Sequence, residues 1–198
     1  SRRCICRSCI MSYKDKTLLF ESDKIYYNDA GNSIEMQVMM DWEDVVMKKS
    51  ADYVCQNGGN ILEIGFGMGI SASYIQANSI NSHTIVENHP QIIEKAKAWA
   101  ADKPNVTIIE GDWYTVKDSL STYDGIFYDT FGDQNMSNFK NSLADLASAG
   151  CKVTWWNSIA SENNYYNIDG VTYEAITVNP PANCYFNHTT YYLPKKEF

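Results

Sequence analysis

Residues 61–76 read ILEIGFGMGISASYIQ, an apolar run entering three glycines at spacing two, Gly65, Gly67 and Gly69, before a helix-like segment. Glycine-rich turns between a strand and a helix bind nucleotides in α/β sheets, because glycine lets the backbone turn tightly and approach a ligand. The dinucleotide fingerprint G-x-G-x-x-G is not met: counted from Gly65, its last position holds Ile70, so the glycine needed for close helix–strand packing is missing. Glu63, two residues before the first glycine, is a poor neighbour for a pyrophosphate and a reasonable one for a cation. S-Adenosyl-L-methionine carries a sulfonium and an ammonium and no phosphate, so the loop favours it over a nicotinamide dinucleotide.

The flanking sequence alternates in the way such a loop requires. Residues 60–64, 83–87 and 106–110 read as strands, as do YDGIFYD (123–129) and CKVTWWN (151–157). Helical patterns lie between them at 69–78, at 89–103 with Pro90 near the start, and at 137–150 with Gly150 as the stop; 113–120 reads as a short helix or loop. GVTYEAITVNP and CYFNHTTYYLP have no helical stretch between them and read as two antiparallel strands. The predicted fold class is α/β: a Rossmann-like sheet, mostly parallel, with an antiparallel C-terminal strand pair and helices on both faces. Upstream, Met36, Met39, Met40, Val45, Val46, Met47 and Tyr53 fall near helical spacing, which predicts one or two helices over 35–56; residues 12–36 show weak periodicity.

With 198 residues the chain can form one domain with a full core, expected over 11–198. Residues 1–10, SRRCICRSCI, read as a non-native or disordered tail ahead of Met11 that the fold can do without. Cys4, Cys6 and Cys9 have no partner at zinc spacing, so no metal is expected. Cys55, Cys151 and Cys184 are scattered, which suits a reducing cytoplasm. A net charge of −8 argues against nucleic acid as partner, and no run approaches the length of a membrane span.

Ligands in such sheets bind outside the carboxyl ends of the strands. Glu87 ends the second strand 22 residues after Gly65, where an acid can accept hydrogen bonds from both ribose hydroxyls. The third strand ends IIEGDWY: Asp112 or neighbouring backbone can meet an adenine amino group, and Trp113 can stack on the ring. His83 and His188 have no partner pattern and read as structural or surface residues; the aromatic stretch 184–194 reads as sheet core.

ILEIGFGMGISASYIQ, TIVEN, EGDW and YDGIFYDTF together resemble guanidinoacetate N-methyltransferase, within the class I S-adenosylmethionine-dependent methyltransferases. VMMDWEDVVM (38–47) and NPPANCYF (179–186) extend the resemblance over roughly residues 34–190. It implies that Phe66, Gly67, Met68, Gly69, Ile70 and Ser71 line the methionine end of the cofactor. It further implies that Glu87, with Asn88 and His89 beside it, binds the ribose, that Trp113 lies on the adenine, and that Met39 and Met47 pack near the sulfur. By the same resemblance Glu43 and Asp129 grip the acceptor's guanidinium, and the backbone at Ser158 and Ile159 holds its carboxylate. The segment 159–170 is shorter than the family's.

A guanidinium is a poor nucleophile because its lone pairs are delocalised. Two carboxylates can pair with its planar fork and localise electron density on one nitrogen. Asp129, ending the fourth strand, is expected to accept the proton, with Glu43 orienting the acceptor. The expected activity is N-methylation of a small guanidino compound, guanidinoacetate first. Alternatives are another amine, an arginine in a protein, or a nicotinamide-dependent oxidoreductase, against which Glu63 and Ile70 count. The sequence leaves open whether the chain is a monomer or a homodimer.

Overall fold

The structure is a computed structural model that describes residues 12–29 and 34–198. The tail 1–10, with its three cysteines, and Met11 lie outside the described residues.

A small antiparallel sheet comes first: β1 (Leu19–Phe20), β2 (Lys24–Asn28) and β3 (Glu35–Met40). The helix expected from residue 35 is therefore a strand up to Met40. The difference has a physical cause. Ile25 pairs with Met39 and Tyr26 with Gln37, so Val38 is the extra residue of a β-bulge. The bulge breaks strict alternation and leaves Met36, Met39 and Met40 at a spacing that mimics a helix. A short 3₁₀ turn, Asp41–Glu43, then leads into α1 (Asp44–Val54).

The large sheet comes next: β4 (Asn60–Ile64), α2 (Ile70–Gln76), β5 (Ser82–Glu87), α3 (Pro90–Ala100), β6 (Val106–Glu110), α4 (Trp113–Val116), β7 (Tyr123–Tyr128), α5 (Phe139–Leu146), β8 (Ala147–Trp155), β9 (Thr172–Thr177) and β10 (Thr190–Glu197). The spatial order is β6-β5-β4-β7-β8-β10-β9. Strands β6 to β8 pair in parallel; β10 is antiparallel to both β8 and β9. The predicted architecture is the observed one. Two boundaries differ. Gly150 does not stop a helix: it lies inside β8 with φ +80°, where the pairing with β7 jumps from Tyr123↔Ala147 to Gly125↔Lys152. In the last stretch, pairing starts only at Thr190, and 184–189 is irregular.

Alternation along the strands puts apolar side chains on both faces. Ile61 and Phe127 pack on Val46, Met47, Ala51 and Val54 of α1 and on Ile75 of α2. Ile85 meets Ala72 and the Ile92 and Ala96 side of α3. On the other face Leu62, Ile64, Ile126 and Tyr128 meet Trp113 and the Phe139, Leu143 and Leu146 stripe of α5. Among the described residues no helix is long and apolar enough to cross a membrane.

Candidate active site

The carboxyl ends of β4, β5 and β7 open into a cleft of about 250 Å³, roofed by Tyr13 and by Gln37, Val38 and Met39 of β3. The first wall is the glycine turn. Gly65 donates to Val86 O at 2.9 Å, and Asp129 donates to Ile64 O at 2.9 Å, so both are held by the strand ladder. Gly65 has φ +95°, and a Cβ there would stand 1.8 Å from the carbonyl oxygen of Asp129. Only glycine fits, because the obstacle is backbone. At Gly67 a Cβ would come 2.5 Å from Met39 Sδ, and the Met68 N–H points at that sulfur from 3.2 Å. Met39 therefore seats the small sheet on the turn.

Glu87 lines the cleft and organises it. Its Oε2 accepts from the Phe66 N–H, and its Oε1 from the N–H groups of Asn88 and His89, each at 2.9 Å. A carboxylate has roughly four lone-pair sites, so about one remains for a ligand hydroxyl. We expect Glu87→Ala to weaken cofactor binding by about 1.5–3 kcal/mol, read by calorimetry with S-adenosylhomocysteine. Unchanged affinity would leave Glu87 as a clamp for its own loop and nothing more.

Trp113 is both core and cleft wall. Its Nε1 donates to Asp133 Oδ2 at 2.7 Å. The hydroxyls of Tyr128 and Thr130 converge on the same oxygen, and the Asn135 N–H reaches Oδ1. The indole is thus locked to the loop after β7 by its Nε1–H.

Two acids, Glu43 and Asp129, line the cleft together. Glu43 turns back from the start of α1 to accept the Met40 N–H at 3.2 Å, as the third residue of a helix start does. It also accepts from the Tyr185 hydroxyl. Burial pushes its carboxyl well above the usual range, and Asp129 adds to the shift. Burial likewise raises Asp129, with the charges of Glu63 and Glu87 adding. Two such acids facing one cleft resist joint ionisation; a bound cation reverses that.

Several residues expected in the cleft lie elsewhere. Glu63 does not line it: fully buried under the turn, it accepts from the Ser71 hydroxyl and pairs with His83 Nε2 at 2.9 Å. Ser71, not Glu63, reaches the wall. Met47 is core, on the sheet-facing side of α1. His89 is turned away: Nδ1 accepts from the Gln91 N–H at 3.2 Å, which makes Nε2 the donor to Lys16 O at 3.0 Å. Asp112 caps α4 through the N–H groups of Tyr114 and Thr115 and holds the Asn135 amide; its neighbour Gly111 lines the cleft instead. Met68, Gly69 and Ile70 shape the turn from behind and do not line the cleft. Ser158 stands at the mouth, but the Ile159 N–H bonds Asn157 Oδ1 at 3.2 Å and points away from an acceptor.

Sequence reasoning misses several contributors, among them Tyr13, Asp133, Tyr185 and Phe186. Tyr13 and Asp133 come from segments without periodicity. Tyr185 and Phe186 sit in a stretch that reads as sheet core, where aromatic alternation gives no sign that one face opens into the cleft.

The family model described as guanidinoacetate N-methyltransferase matches residues 8–140. Protein arginine N-methyltransferase 2 of Yarrowia lipolytica is 30% identical over 189 residues, covering 79% of this chain and 40% of its own length. The Kluyveromyces lactis protein of the same name is 29% identical and covers 93% of this chain and 54% of its own length. The chain thus spans about half or less of these relatives. Among solved structures, spermidine synthase from Thermotoga maritima superposes with a TM-score of 0.62 at 11% identity, covering 91% of this chain and 72% of its own. That likeness is one of fold.

Proposed function

The chain belongs to the guanidinoacetate N-methyltransferase family of class I, S-adenosylmethionine-dependent methyltransferases, and on that premise we propose that it methylates a guanidinium nitrogen, most suitably that of an arginine side chain in a protein. The observation carrying this reading is the pairing of Glu43 with Asp129 at one end of the cleft, where no described lining residue is Lys or Arg. A cation with an apolar stem suits acids backed by Trp156, Tyr185 and Phe186. The names of the curated relatives point the same way.

Guanidinoacetate is the second reading, favoured by the matched family itself. Its carboxylate needs donors, and the Ile159 N–H is engaged by Asn157. Ser158 remains at the mouth.

The residues fit S-adenosylmethionine: the turn at Gly65 and Gly67 has no room for a Cβ, Glu87 keeps an acceptor site, and Trp113 lines the cleft with its indole held by Asp133. The bound group supplies an electrophilic methyl on a sulfonium. Asp129 and Glu43 align the planar fork of the acceptor, which removes most of the entropic part of the barrier. Asp129 takes the proton from the attacking nitrogen.

Methyl transfer from labelled S-adenosylmethionine to arginine-containing peptides, free arginine and guanidinoacetate tests this. Transfer to the peptides above the small molecules is expected; transfer to guanidinoacetate alone favours the second reading, and no transfer to any guanidino group defeats both. In parallel, cofactor at about a hundred times its Kd should add about 2.7 kcal/mol of stability, a rise of roughly 5–10 °C in Tm. NAD should give none; the reverse result would restore the oxidoreductase.

A further inference from the structure

Tyr185 lies between β9 and β10, 142 residues from Glu43 in sequence, yet its hydroxyl donates to Glu43 Oε1. The Met40 N–H reaches the same oxygen at 3.2 Å. Both donors therefore converge on Oε1. The backbone behind Tyr185 is fastened to the other side of the cleft, with its N–H donating to Gln37 Oε1 at 3.2 Å. Its ring stands 5.9 Å from Trp42 and 6.3 Å from Trp156.

We infer that Tyr185 is a positioning residue of the acceptor site, holding Glu43 by one carboxylate oxygen so that Oε2 is presented to the guanidinium. The inference rests on the guanidino reading above. This hydrogen bond, together with that from the Tyr185 N–H to Gln37, then links the amino-terminal half of the cleft to the loop before β10. A hydroxyl donated to a carboxylate favours its ionised form. Besides the neighbouring Cys184 thiol, which bears on Tyr185, two other titratable groups bear on Glu43 or on its partner. One is Asp129 after β7, whose charge raises Glu43. The other is the buried Tyr191 hydroxyl of β10, which feels both acids and accepts the Asn157 N–H at 2.7 Å. Without the Tyr185 hydroxyl, Glu43 should hold its proton to higher pH and lose its fixed rotamer.

The test compares wild type, Tyr185→Phe and Glu43→Gln in two arms. In kinetics with the accepted guanidino compound, Tyr185→Phe should raise the acceptor KM about tenfold or more while kcat changes less. The acid limb of kcat/KM should move to higher pH by about one unit, and S-adenosylhomocysteine should bind within about twofold of wild type. In the second arm, ¹³C-carboxyl glutamate NMR tracks the Glu43 resonance, identified by its loss in Glu43→Gln. Its midpoint should rise in Tyr185→Phe, and titrated methylguanidinium should bind more weakly. An unmoved midpoint overturns the inference, as does an unchanged KM with an unshifted limb. If wild type methylates no guanidino compound, the functional reading falls. The NMR arm then decides alone, a raised midpoint supporting the Tyr185–Glu43 coupling and an unmoved one ending it.

Discussion

Asp129→Asn is expected to bind S-adenosylhomocysteine with near wild-type affinity and to lose about 10²–10⁴-fold in methyl transfer to a guanidino acceptor. The side chain sits where β7 ends, its own N–H fixed to Ile64 O and its carbonyl pressed against Gly65, so the substitution leaves the backbone in place. What changes is charge and basicity. Asparagine cannot take the proton that an attacking guanidinium must release, and it grips a cation weakly. Burial already raises the Asp129 carboxyl, so the ionised form that binds the cation is lost as pH falls through that raised value. The wild-type rate should fall on the acid side; in the variant only Glu43 remains to give an acid limb, and without the Asp129 charge that raises it the limb should lie at lower pH. Wild-type turnover in Asp129→Asn, with the same pH profile, would end the guanidinium-clamp mechanism.

His83→Ala should give the largest loss of stability, about 3–5 kcal/mol, because it breaks a buried pair by removing one member. Glu63 and His83 are both fully buried, Nε2 to Oε2 2.9 Å, and the Gln76 amide closes the far side of the imidazole at 3.4 Å. Without the ring, the Glu63 carboxylate under the glycine turn keeps Ser71 as its side-chain partner. For a chain of this length the loss corresponds to roughly 10 °C in Tm. By contrast the exposed Lys48–Asp52 pair should be worth about 1 kcal/mol or less. Urea unfolding at constant m-value measures both. A cost near that of the surface pair would show that the core absorbs an uncompensated Glu63.

The parts of the site legible in sequence are those that ride on one strand end. Gly65, Glu87 and Asp129 can be placed because a strand's period fixes where it stops and which residue stands at its carboxyl end. Glu63 shows the limit of that logic. Its strand and position are clear, but its side chain is taken up by His83, 20 residues on, and the pair is fully buried instead of lining the cleft. The three-residue step that carries Met36, Met39 and Met40 reads as helical because a bulge and a helix turn leave the same apolar spacing. Tyr185 is beyond reach for a different reason. Its partners Gln37 and Glu43 are 148 and 142 residues away, and no local pattern encodes a contact across the whole sheet. The loop Asp133–Asn135 that fixes Trp113 has no periodicity at all.

The placement of β10 between β8 and β9 has a temporal side. Once β8 has been synthesised, β4 to β7 have every strand neighbour they need and only β8 still awaits β10, so the turn that receives the cofactor can close early. β9 stands at the sheet edge and pairs with β10, which is made after it. Until Thr190–Glu197 arrives, β9 has no ladder to join and the segment bearing Tyr185 has no fixed end. The nascent protein can therefore form the turn at Gly65 and Gly67 while the segment that carries Tyr185 to Glu43 is still unfixed, an order imposed by long-range strand pairing.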